Sequence, residues 1–198
     1  MFNQYIEDIK STSFRYFLQN REKISEYIGK GNADEKIFRT FASTYYQNPE
    51  EADELKSIDA EIFEKAKKQV TISKVYGQFY RNKNDKTSWD NFIQTVTPFM
   101  NQSNDPEEIN HYSWVVFENY KKFKDKNALK NAVNWAKKAY EAASEKDHIV
   151  DTYANLLYES GKKKEALKIE KKALEIASIA GNTERVNEYK EEIEKFKK

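Results

Sequence analysis

The feature that most constrains this chain is an internal echo. Tyr153, Ala154, Leu157, Tyr158 and Glu159 repeat Tyr112, Ser113, Val116, Phe117 and Glu118 at a constant offset of 41 (153 − 112). Further along, Ala166, Ile169, Lys171, Lys172, Ala173, Glu175 and Ala177 repeat Ala132, Trp135, Lys137, Lys138, Ala139, Glu141 and Ala143 at 34 (166 − 132). The change of offset places the 7 differing residues (41 − 34) in the loop between the two halves. Two helices in fixed relation, joined by an elastic turn, form the unit of a helical repeat array. Such arrays present surfaces and rarely do chemistry.

In the second copy, Ala154, Leu157, Gly161, Ala166 and Ala173 give a small residue, an apolar residue, a turn glycine and two alanines seven apart. This resembles the tetratricopeptide pattern. Small residues let two helices approach closely, and a glycine permits the positive φ of the turn between them. The copy departs from the family at Glu170, which stands where an aromatic is usual, and at Ser178, which replaces a closing proline. A looser copy precedes both, with Tyr76, Gly77 and Tyr80 on its first helix and Trp89, Phe92, Val96 and Phe99 on its second, so the resemblance covers roughly residues 70 to 180. It implies an all-α fold of antiparallel helix pairs stacked in a right-handed α-α superhelix. It also implies a non-catalytic protein-protein interaction module with a concave groove lined by the first helix of each pair. Carried over by position, the groove residues are Lys74, Gln78 and Arg81; Asn110, Trp114 and Phe117; Asp151, Asn155 and Tyr158. Lys74 with Asn155 resembles part of the clamp that some relatives close on a peptide carboxylate. Gln78 and Trp114 stand where that clamp needs asparagines, so this specificity is not expected.

Composition agrees. Lys+Arg of 34 nearly balances Asp+Glu of 33, so no global field favours nucleic acid. Only 38% of residues are hydrophobic, but 12 Phe, 13 Tyr and 3 Trp make them large, which suits thin helical layers filled by a few aromatics. With 5 Gly and 3 Pro there is little from which to build a loop-rich or β-rich fold. No apolar run reaches spanning length and Met1 opens no signal-like segment. Cysteine is absent, which removes thiol chemistry from the chain itself, and His111 and His148 are the only histidines.

Taken in order, the apolar spacing predicts helices throughout. A short one carries Phe2, Tyr5, Ile6 and Ile9, and one apolar face then runs from Phe14 to Ile28 until Gly29 and Gly31 stop it. Asn32 with Glu35 predicts a capping-box start, Asn48 and Pro49 a second start, and Ser57 a third. These make up an N-terminal segment, residues 1–69, that packs on the repeats. The repeats, with a closing helix, occupy 70–198. Their helices are expected over 72–82, 88–100 (with Pro98 kinking or ending it), 106–120, 128–144, 149–160 and 163–180. A last helix after Gly181 turns Val186, Tyr189, Ile193 and Phe196 inward.

The aromatic run Phe2, Tyr5, Phe14, Phe17 with Asn20 and Arg21, followed by the repeats, is similar to the helical region found C-terminal to a thioredoxin-like domain in some bacterial envelope proteins. That resemblance implies a piece of a secreted, periplasmic or cell-envelope parent with its redox cysteines upstream. It makes the alternative function a structural domain attached to, or dimerising beside, that upstream domain. A free-standing adaptor would instead suit the cytoplasm.

Two Glu-x-x-His runs, Glu108 to His111 and Glu145 to His148, have the spacing of di-iron helices but sit at helix ends in neighbouring repeats. They are expected to be capping charges, with no metal, no cofactor and no catalytic residue. Three basic clusters fall in the turns within pairs: Arg81, Lys83, Lys86; Lys121, Lys122, Lys124, Lys126; and Lys162, Lys163, Lys164. The turns between pairs carry Asp105, Glu107, Glu108 and Glu145, Asp147, Asp151. The expected partner is a protein or peptide, drawn to a basic edge of Lys121, Lys122, Lys124 and Lys162 to Lys164. Neither nucleic acid nor a membrane span is expected.

Overall fold

The computed structural model describes residues 9–198, so the expected helix at Phe2, Tyr5 and Ile6 lies outside it. Among the described residues there are eleven α-helices, helix makes up 85% of those residues, and no strand occurs. The fold is all-α, with sequential antiparallel helix pairs. The chain divides into two compact units, Met1–Ser88 and Trp89–Lys198.

The first unit holds α1 (Thr12–Gln19), α2 (Arg21–Ile28), α3 (Lys30–Gln47), a 3-10 turn (Pro49–Glu51), α4 (Ala52–Ile58) and α5 (Ala60–Arg81). The face expected as one helix from Phe14 to Ile28 is interrupted at Asn20, whose side-chain amide donates to the Tyr16 carbonyl. Gly29, at φ 84°, ends α2, and α3 begins directly after it at Lys30. Asn32 therefore opens no helix. It lies inside α3, and its amide turns back to the Ile28 carbonyl at the end of α2. The start expected at Ser57 falls at Asp59, whose carboxylate accepts the Ile62 N–H at 3.0 Å. From there α5 runs 22 residues without a break, because its apolar stripe of Ile62, Phe63, Ala66, Val70, Ile72 and Phe79 never meets a proline or a cap. Residues 69 and 70, the expected junction, lie inside it. Phe14, Ile37, Phe41, Leu55 and Phe63 fill the core of this unit.

In the second unit α6 (Lys86–Gln102) contributes all but its first turn, and runs on through Pro98. It is followed by α7 (Pro106–Phe123), α8 (Lys126–Ala142), α9 (Asp147–Glu159), α10 (Lys163–Ile179) and α11 (Thr183–Phe196). From α7 onward each helix packs on the next. The repeat is visible as packing: Ser113 and Ala154, Val116 and Leu157, Ala132 and Ala166, and Ala139 and Ala173 are all fully buried. Three of the turns close alike. The amides of Asp125, Lys162 and Asn182 each reach the carbonyl five residues back, Tyr120, Leu157 and Ala177, at 3.0 Å. Gly161 and Gly181 supply the positive φ in two of them, and Lys124, at φ 53°, in the third.

The seven extra residues of the first copy are not an elastic loop. α7 has 18 residues where α9 has 13, and Ala132 is seventh in α8 where Ala166 is fourth in α10. The turn itself is one residue shorter, two against three. The added length is helical because a hairpin extended in both arms keeps every backbone hydrogen bond, which a long loop would not.

Close approach at the alanines gives a first test. Ala166→Leu should overpack the α9–α10 contact and cost ~1–3 kcal/mol. A chemical-denaturation midpoint equal to that of the parent chain would contradict this packing.

Candidate partner-binding site

The nine groove residues fall in both units. In the first, Gln78 and Arg81 are exposed on α5, while Lys74 is half-buried. The Lys74 ammonium donates to the Tyr46 carbonyl at 3.2 Å and lies 4.6 Å from the Tyr46 ring centre.

In the second unit α7 turns Ile109, Ser113, Val116 and Tyr120 fully inward. Asp105 starts the helix by accepting the Glu107 N–H at 2.9 Å, with Pro106 in its first turn, so the register of that stripe is set at the N-terminus. One stripe over, Trp114 and Phe117 are half-buried and rest on each other with ring centres 4.8 Å apart. Asn110, on the same helix, is buried.

The three positions on α9 go elsewhere. Asn155 is buried, and its amide donates to the Asp151 carboxylate at 2.8 Å and to the Asp151 carbonyl at 3.2 Å. Tyr158 stacks on Phe196 of α11 with ring centres 4.5 Å apart, and the ammoniums of Lys163 and Lys195 lie over the same ring. The structure thus pairs Trp114 with Phe117 and joins Asp151 to Asn155, while α11 covers Tyr158.

Of the basic edge, Lys121, Lys122, Lys124, Lys162, Lys163 and Lys164 are all exposed. Lys121 bridges at 2.7 Å to Glu159, the last residue of α9, so the α7–α8 and α9–α10 turns adjoin. Burial raises the Glu159 carboxyl, but Lys121 and the Tyr120 hydroxyl, which donates to it, outweigh this and hold it below its ordinary range.

The acidic turns are engaged internally. Glu107 accepts from Lys146 at 2.7 Å and meets His148 Nε2 at 2.9 Å, which ties the start of α7 to the start of α9. These hydrogen bonds lower the Glu107 carboxyl. Asp147 pairs with Arg185 at 2.5 Å, and Glu108 accepts from the Ser103 hydroxyl at 2.6 Å. Among the described residues no three His, Asp or Glu side chains gather as metal ligands would.

The first unit has a charged cleft of about 420 Å³ beside Arg21. Arg21 already bonds Asp34 at 2.7 Å and Asp59 at 2.9 Å, so its charge is met from within.

One group lies outside the expected set. Glu170 has no exposed surface, and neither of its carboxylate oxygens meets a protein hydrogen-bond donor. Burial first, then the Asp151 carboxylate, push it well above the ordinary carboxylate range. Asp151 is raised in turn by burial and then by Glu192. The only sequence signal was the acid standing where an aromatic was expected.

No protein-family model, curated protein or solved structure matches this chain. The fold defines a class by architecture: an all-α protein of sequential antiparallel helix pairs.

Proposed function

We propose that the chain is a non-catalytic protein-interaction module whose helix pairs stack as a tetratricopeptide-like right-handed α-α superhelix. The observation that carries this is the Trp114–Phe117 pair. Two large aromatics keep partial exposure on α7, while the stripe beside them is fully buried. A core position would hide them, and large rigid side chains at a water-facing edge are the usual anchors of an interface. The exposed lysines of the adjoining turns add a preference for an acidic protein or peptide, felt most at low salt.

The three tryptophans make the test clean. Trp89 and Trp135 are buried and Trp114 is not, so acrylamide should quench a fraction of the emission that disappears in Trp114→Phe. Peptides selected from a random library on the intact chain should lose ~2–4 kcal/mol of binding to Trp114→Ala, with folding largely retained. A fully shielded Trp114, or selected peptides that bind the variant equally, would rule out this surface. Reversing Lys162, Lys163 and Lys164 to Glu should leave helicity intact and weaken those peptides in a salt-dependent way. Equal affinity at low salt would reduce the lysines to a solubility feature.

A further inference from the structure

The last helix of the second unit closes over its one fully buried acid. Glu170 sits in the middle of α10, which packs between α9 and α11. Charged and titratable groups face it from both neighbours: Asp151 from α9, and Glu192, Lys195 and Tyr189 from α11, with Glu188 of α11 beyond them on Asp151. α8 meets α10 at Lys172, whose ammonium lies 4.8 Å from the Tyr140 ring centre. Lys195 is a cation that acts on both acids and is itself exposed.

Two carboxylates in such a place cannot both ionise, because each loses its water and feels the other at short range. Glu170 has no N–H or hydroxyl donor to replace that water. A proton held between the two carboxyls meets both needs: it removes a charge and gives one oxygen a donor.

α11 is the element free to respond. It packs on α10 and is held by Tyr189, Ile193, Phe196 and the Arg185–Asp147 pair. Its outer face is Lys and Glu. A helix packed by one face, with fewer buried apolar contacts, opens at lower free energy than the helices packed on both sides.

We propose that the Asp151–Glu170 pair is a proton-linked latch for α11: with a proton between the carboxyls the helix stays docked, and loss of that proton drives it off α10, uncovering Tyr158 and the face of α9 beneath. Deprotonation leaves two carboxylates against Glu192, whose charge Lys195 already pairs at 2.8 Å, and moving α11 lets water reach all of them. The device does not depend on the partner-binding reading, since it concerns how α11 is held and not what binds.

The test is amide hydrogen exchange on the intact chain, corrected for intrinsic pH dependence, from about pH 5 to about pH 9, alongside carbon-13 titration of the Glu170 carboxyl. Glu170 is expected to titrate well above the ordinary carboxylate range. The open population of α11 should rise by up to about tenfold per pH unit through that titration, while α7 and α8 hold their protection. In Glu170→Gln the α11 amides should lose this pH dependence. An ordinary carboxylate titration of Glu170 would overturn the proposal. So would α11 protection that is flat across the titration, or a Glu170→Gln chain with the same profile as the parent. If Glu170→Gln does not fold, the first two readings, made on the unaltered chain, decide alone.

Discussion

Truncating Trp89 to alanine is expected to lower the unfolding free energy of the second unit by ~3–5 kcal/mol. Trp89 has no exposed surface and stacks on Phe123 with ring centres 5.0 Å apart and planes 14° from parallel. Its indole N–H donates at 3.0 Å to Asp125, which also accepts the Ala128 N–H at 2.9 Å and so starts α8. One side chain therefore fills the space between α6 and the α7–α8 turn and steadies a helix cap. The cavity left by alanine accounts for most of the loss, and Trp89→Phe isolates the polar part. The phenylalanine variant should lose little more than one hydrogen bond beyond its smaller volume, ~1 kcal/mol. A cycle with Asp125→Ala should then show coupling of ~0.5–3 kcal/mol, since the two side chains touch. Both are read by urea denaturation followed through Trp114 and Trp135, which lie in the same unit. A loss for Trp89→Ala no larger than that of Trp89→Phe would mean the site collapses around the gap.

The legible parts of this fold were those in which a local rule and the packing agree. Ala154, Ala166 and Ala173 read as close-contact positions because nothing larger fits where two helices touch, and all are buried. Gly161 and Gly181 read as turns because their φ is open to few other residues. Sequence misjudged the places where tertiary packing overrides a local signal. Asn20 breaks the apolar face expected as one helix, α4 runs through the start signal at Ser57, and α5 continues through the expected junction at residues 69 and 70. The offset change was real, but spacing alone cannot tell two longer helices from one longer loop.

The candidate site follows the same division. Trp114 and Phe117 could be put on one stripe from their spacing of three, and they touch. Tyr158 belonged to the same repeat position as Phe117, yet its fate depends on α11, whose register no repeat constrains. Glu170 was visible as an acid in an aromatic's place. Its partner Asp151 was not, because the two lie on different helices and meet only when α9 and α10 pack.

That pair makes the stability of the chain fall with rising pH, and removing it should reverse the trend. Burial and the neighbouring acids hold both Asp151 and Glu170 well above the ordinary carboxylate range. Unfolded, both return to the ordinary carboxylate range near pH 4. Between those limits the folded chain keeps protons that the unfolded chain has released, so each proton so held takes away up to ~1.4 kcal/mol of stability per pH unit. The contribution is whole below the unfolded values, declines through neutral pH, and changes no further above the folded ones. Burial of this kind weighs more than the exposed pairs elsewhere, such as Lys65 with Glu61, which solvent screens. Glu170→Met keeps the volume and removes the buried carboxyl. At about pH 8.5 it should be more stable than the parent by ~1–4 kcal/mol, and at about pH 5 the difference should shrink or vanish. Urea denaturation of both chains at the two pH values measures it. A gap that is the same at both, or a variant less stable at the higher pH, would mean that Glu170 ionises without penalty where it sits.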